Sequence, residues 1–124
     1  MDFNELLAYQ KAFSLSMEVF WISKTFPKEE TYSLTDQIRR SSRSVCANIA
    51  EAYRKRIYVR NFVSKLSDSD AENSETAVWL DFALACQYLT GEQHAGLYEH
   101  SLEIGRLINY MIQHPQKFGC KEEI

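Results

Sequence analysis

Seven cations crowd one short stretch of this 124-residue sequence. Arg39, Arg40, Arg43, Arg54, Lys55, Arg56 and Arg60 face a single acid, Glu51, within residues 39–60, a local balance of +6. Guanidinium groups at that density hold carboxylates across a packed interface, or they hold phosphate oxygens, because their planar donor forks fit both. Carboxylates are at hand. Residues 66–105 contain no Lys or Arg and carry Asp68, Asp70, Glu72, Glu75, Asp81, Glu92, Glu99 and Glu103, a balance of −8. In one reading Arg39, Arg40 or Arg43 pair with Glu72 or Glu75, between helices or between subunits. In the other, Arg54, Lys55, Arg56 and Arg60 stay unpaired at a helix corner and contact RNA or DNA. The two readings use different arginines and can both hold. The net charge of −3 conceals this segregation, although with a pI near 5.6 it excludes a uniformly basic nucleic-acid binder.

Other chemistries lack their residues. A di-iron carboxylate site needs Glu-x-x-His on two helices. The residues three before His94, His100 and His114 are Gly91, Leu97 and Met111. Asp68-x-Asp70-x-Glu72 has the opening spacing of a calcium loop, yet Asn73 stands at the glycine position and Trp79 at that of the bidentate Glu. The four glycines, Gly91, Gly96, Gly105 and Gly119, form no phosphate cradle, and no nucleophile elbow, zinc helix or Cys-x-x-Cys is present. Cys46, Cys86 and Cys120 are odd in number and far apart, as in a cytoplasmic protein with reduced thiols. Cys46 and Cys86 read as small buried hydrophobes. The histidines read as surface or bundle-end residues, and Ser69, Asp70 and Asn73 as a polar layer fixing helix register. The aromatics, Trp21 among them, read as core or interface. No enzyme, metal or cofactor is expected.

Helices must position these residues. Hydrophobic residues make up 45% of the chain, enough for one core in a single domain, 1–124. With Gly at 4 and Pro at 2, turn punctuation is too sparse for a β-sandwich. The spacing predicts helices over 3–24, 33–56, 58–89 and 92–113. Phe3, Leu6, Leu7, Phe13, Met17, Phe20 and Trp21 mark the apolar face of the first, and Asp2 with Glu5 a capping box at its start. The second begins near Ser33, with Asp36 in its first turn. Its stripe of Leu34, Ile38, Val45, Ile49 and Ala52 is interleaved with Ser41, Ser42, Ser44, Ala47 and Ala50, small enough for close helix approach. The third is apolar nearly all round from Val78 to Cys86. One bundle core covers only one side, so Trp79 and Phe82 are candidates for a subunit interface. Gly91 suits a left-handed cap after it. Leu97, Ser101, Ile104, Ile108 and Met111 form the fourth stripe, which Pro115 closes. Short connections imply an all-α, antiparallel, up-down-up-down four-helix bundle. The beginning of the sequence does not read as a signal peptide, and the most apolar stretch, 77–89, is too short to span a bilayer, so no membrane partner is expected.

The run Phe26-Pro27-Lys28-Glu29-Glu30-Thr31-Tyr32-Ser33-Leu34-Thr35-Asp36-Gln37-Ile38-Arg39-Arg40-Ser41, continued by Asn48-Ile49-Ala50-Glu51, resembles the four-helix bundle proteins encoded in intervening sequences of bacterial 23S ribosomal RNA genes. The run from Ser67 to Leu89 is similar to a subgroup of the same family, so the resemblance covers nearly the whole chain. A related branch is the accessory variability determinant of diversity-generating retroelements, which works with a reverse transcriptase and binds nucleic acid. The resemblance implies a ring-shaped homopentamer and no catalytic residues. It implies structural or interface roles for Gln37, Arg39, Arg40, Asn48 and Glu51. Ala52 stands where many relatives carry Gly, and this chain is acidic where the retroelement proteins are basic. The expected function is that of a non-enzymatic, oligomeric protein whose partners are its own copies and RNA or DNA, with a reverse transcriptase or another protein besides. The alternative is a protein–protein scaffold or adaptor without nucleic-acid binding.

Overall fold

A computed structural model describes residues 1–121. Four long helices carry the fold: α1 (Leu7–Ser23), α2 (Leu34–Arg54), α3 (Val59–Ala85) and α4 (Gly91–Gln113). Single 3-10 turns lie at Phe3–Glu5, Lys28–Glu30 and Pro115–Phe118, and the described residues include no strand. The helices pack in a cycle, each against its neighbours in sequence, with α1 closing onto α4. Their shared core holds Val19, Ile38, Ile49, Phe62, Leu66, Leu80, Ile104, Ile108 and Met111, all almost completely buried.

The broadest contact joins α2 to α3, along the predicted seam of small residues. Ser41 Oγ lies 2.8 Å from Thr76 Oγ1, and Ser69 Oγ donates to the Val45 carbonyl at 2.8 Å. Across α3 and α4, Asn73 Nδ2 donates to the Ser101 carbonyl at 2.9 Å, and Ser101 Oγ to Asn73 Oδ1 at 3.2 Å. Buried hydroxyls and amides cost stability unless bonded. These are bonded, so they act as registration points between helices.

Helix α1 departs from its predicted face. Its buried residues are Ala8, Ala12, Leu15, Ser16, Val19 and Ser23, while Leu7, Phe13, Met17 and Trp21 are exposed. The reason is separation. The small side chains let α1 sit close to α2, where Ser16 Oγ and Ser42 Oγ are 3.2 Å apart. Large side chains do not fit between backbones at that distance and turn outward.

Helix ends also differ. Asp2 and Glu5 do form a capping box, but on the 3-10 turn; Leu6 is extended and the α-helix starts after it. Ser33 does not cap α2. Its hydroxyl donates to the Glu30 carboxylate, which also accepts the Leu34 N–H at 3.3 Å. Helix α3 ends at Ala85 instead of Leu89, because Gln87 adopts φ 65° and the N–H groups of Gln87 and Tyr88 return to the carbonyls of Leu84 and Ala83. This reversal buries Leu89. Gly91 is then the first residue of α4, not a cap of α3; Thr90 and Gln93 form the capping box that starts α4.

Candidate nucleic-acid interface

The corner between α2 and α3 spans four residues, Lys55 to Tyr58, and its cations behave differently from one another. Arg54, the last residue of α2, places Nη2 3.0 Å from Asp2 Oδ2, with its guanidinium 5.6 Å from the centre of the Phe3 ring. Arg56 turns back on the helix end. Its Nη1 donates to the Tyr53 carbonyl at 2.8 Å and its guanidinium lies 3.8 Å from the Tyr53 ring centre. Gly119 sits against it with φ 98°, where a Cβ would approach Arg56 Nε to 3.0 Å. Lys55 is exposed. Arg60 is exposed on the first turn of α3 and borders a shallow groove of about 520 Å³ with Val59, Val63, Ser64, Ser67 and Asp68. The expectation of four unpaired cations therefore needs correcting at Arg54, which is ion-paired, at Arg56, which is stacked and bonded to backbone, and at Arg60, which is not without a partner either. Neither the Arg54 nor the Arg56 charge is neutralised by burial. The Arg54–Asp2 pair is surface-exposed on both sides, a geometry that salt and competing anions readily open.

Exposed carbon accompanies these charges. Ile57 and Tyr58 are 68% and 62% exposed at the tip of the corner. Sequence spacing assigned the aromatics to core and interface; the corner's extended backbone at Tyr58, which precedes α3, instead turns this ring outward. Glu51, the one acid of the basic segment, is engaged by Lys65 at 3.0 Å, an interaction that raises the lysine's pKa chiefly through the hydrogen bond.

The other arginines of α2 do not make the expected carboxylate pairs within the chain. Arg39 Nε donates to Ser23 Oγ at 2.8 Å and Nη2 to the Phe20 carbonyl at 3.4 Å, which places a cation at the C-terminal end of α1. Its guanidinium is 4.9 Å, and that of Arg43 5.9 Å, from the Phe20 ring centre. Arg40 acts on Glu72 only at longer range. Burial and the neighbouring Glu75 raise the Glu72 pKa, and Arg40 opposes them. Glu75 accepts a hydrogen bond from Trp79 Nε1 at 3.3 Å. Trp79 is half-buried with its ring 5.9 Å from Phe82, which is exposed. Asn48 Nδ2 donates to the Ser44 carbonyl at 2.9 Å, and Gln37 is half-buried on the same helix.

Nothing among the described residues gathers into a metal site: no three His, Cys, Asp or Glu side chains converge. His94 Nε2 is 2.8 Å from Asp81 Oδ1, which ties α4 to α3. His100 Nδ1 lies 3.2 Å from Glu18 Oε1, across α4 and α1, off the alignment of a hydrogen bond. Cys46 is buried, and burial pushes its thiol up to about 11. Cys86 is exposed, contrary to expectation, because α3 ends beside it. No described helix is long and apolar enough to cross a membrane.

No curated protein sequence matches the chain. A crystal structure of a protein with unknown function from the S23 ribosomal protein family of Bacteroides thetaiotaomicron VPI-5482 is similar, with a TM-score of 0.79 and 28% identity over 91% of this chain and 99% of that one. The family model for 23S rRNA-intervening sequence proteins matches residues 4–110, the four-helix region almost in full, and the chain belongs to that family.

Proposed function

We propose that this chain is a non-enzymatic, oligomeric RNA- or DNA-associated protein that contacts phosphate through the α2–α3 corner. The observation that carries the reading is the separation of its two charge fields. Among the described residues, none of Arg39, Arg40, Arg43, Arg54, Lys55 and Arg56 forms an ion pair with an acid of the 66–105 run. The acidic run therefore leaves these six cations unpaired by its own carboxylates, and Arg54, Lys55 and Arg56 present their charge at the corner, beside exposed Tyr58 and Ile57. One cluster is a weak anion site. An antiparallel bundle assembled as a ring-shaped homopentamer would repeat it around a rim, and log affinity grows with the number of phosphates neutralised. The sequence resemblance to the intervening-sequence family, one of whose related branches is the retroelement accessory determinant, supports a nucleic-acid partner and a reverse transcriptase as a protein partner. Free thiols at all three cysteines support a cytoplasmic setting.

Fluorescence anisotropy with a labelled RNA, titrated over salt, tests the reading. The wild-type chain should bind at low salt with a steep salt slope, and the triple change Arg54→Glu, Lys55→Glu, Arg56→Glu should weaken binding and flatten the slope. Absence of wild-type binding at low salt overturns it. The exposed Phe13, Trp21 and Phe82 favour a second reading, a protein scaffold that binds no nucleic acid. Pull-downs with and without nuclease separate the two, since only nucleic-acid-mediated partners are lost on digestion.

A further inference from the structure

We infer that the outer groove between α1 and α2 of one chain receives the outer α3–α4 face of a second copy of the same chain. This rests on the oligomeric reading above and specifies which surfaces meet. The groove encloses about 320 Å³ and its lining is mostly carbon. Ala47 and Ala50 help form its floor, Phe13 and Met17 one wall, and Arg43 its rim. Phe13 is 52% exposed, a large apolar side chain that the chain's own core leaves uncovered. On the α3–α4 face Val78 and Phe82 of α3, with Tyr98 and Leu102 of α4, are large, exposed side chains, and Val78, Tyr98 and Leu102 line a shallow depression of about 540 Å³.

Three observations favour a second copy as the occupant. Both surfaces carry large apolar side chains that the chain's own core leaves uncovered, Phe13 and Met17 on one and Val78 and Phe82 on the other. Their charges are complementary. Arg39, Arg40 and Arg43 line the polar continuation of the groove along α2. Asp70 and Asp81 border the α3–α4 face, with Arg106 the one Lys or Arg there. Finally, the surfaces share no helix. Because the helices pack in a cycle, the α1–α2 pair lies across the bundle from the α3–α4 pair. One chain uses both surfaces at once, so the contact is head-to-tail and adds copies until the rotation closes.

Two exposed positions test this without disturbing the core. Ala47→Glu fills the groove and sets acid against acid, while Phe82→Glu removes a projecting ring from the other face. Circular dichroism spectra of both should keep the wild-type helix content, while melting falls by what assembly contributes. Light scattering should give a wild-type mass that is a multiple of the 14.5 kDa chain and each variant alone near 14.5 kDa. Mixed in equal amounts, the variants should form a pair of about twice that mass. The Ala47→Glu chain keeps a sound α3–α4 face, the Phe82→Glu chain a sound groove, and the leftover surfaces both carry the added acid. A variant that alone remains assembled like the wild type overturns the choice of faces. Two monomers that fail to pair on mixing overturn the head-to-tail contact. A wild-type mass of 14.5 kDa overturns the oligomeric reading itself.

Discussion

The α2–α3 seam and the outer surface of α1 treat side-chain size in opposite ways. In the seam, serines and threonines are buried and bonded, with Ser41, Ser69 and Thr76 each almost inaccessible. On α1, Phe13 and Trp21 face outward while their neighbours Ala12 and Ser23 are buried. Hydrophobicity alone would invert this arrangement. The difference teaches that, where helices approach closely, the smallness of a residue decides its placement before its polarity does. A hydroxyl in such a seam is tolerated because a facing helix offers a partner within 3 Å or so. A phenyl ring is not, because no rotamer removes its volume.

The sharpest way to break this comparison is to exchange size at two adjacent positions. Ala12→Leu adds volume in the close contact and should lower unfolding free energy by about 1–3 kcal/mol in a urea titration. Phe13→Ser, measured on the dissociated Ala47→Glu background, should change it by no more than about 0.5 kcal/mol. The reverse ranking would mean that α1 is turned the other way.

A smaller effect sits outside both regions, at the hydrogen bond from Tyr88 Oη, after α3, to Glu30 Oε2, before α2, 2.9 Å long. Hydrogen bonds from Ser33 and Tyr88 lower the Glu30 carboxyl pKa below its ordinary 4.5. Its contribution to stability is therefore present above that value and is lost as pH falls through the lower folded one. The same hydrogen bond pushes the Tyr88 hydroxyl up to about 12 from 10.0. That contribution is complete below 10.0 and disappears as pH rises through about 12. Tyr88→Phe should flatten the alkaline limb of a melting-temperature profile and shrink the acid limb, with Ser33 retaining the remainder. An unchanged profile would show that this tie is not made in solution.

The least effect belongs to Arg54→Ala. The Asp2 pair it removes is solvated on both sides. Loss of stability should stay within about 1 kcal/mol and vanish at high salt. A greater loss would mean that the segment before α1 depends on that pair.

Much of this was legible from spacing. The four helices, the α2 stripe and the small-residue seam follow from 3.6-residue periodicity, and Ser69 and Asn73 occupy the polar layer expected of them. The orientation of α1 was not legible, because its row of large residues also recurs at helical intervals; only the separation from α2 distinguishes the faces. The end of α3 was hidden for a related reason. Leu89 continues the apolar pattern, yet its burial depends on the left-handed Gln87, a residue whose type gives no turn signal. At the corner, the charge cluster was visible, but the tie of Arg54 to Asp2 spans 52 residues of sequence, and that of Arg56 to Tyr53 depends on how the chain leaves α2.

Asp2 against Arg54, and Gly119 against Arg56, bring residues near both ends of the described chain to the basic corner. Whatever is joined ahead of Met1 therefore becomes a neighbour of that cluster. An acidic affinity tag would offer carboxylates to the same guanidinium and ammonium groups at high effective concentration and compete with phosphate from within the molecule. A tag rich in lysine would add affinity that the protein does not own. The charge and length of a fusion are thus variables of any binding measurement on this chain, and tag-free protein is the proper reference.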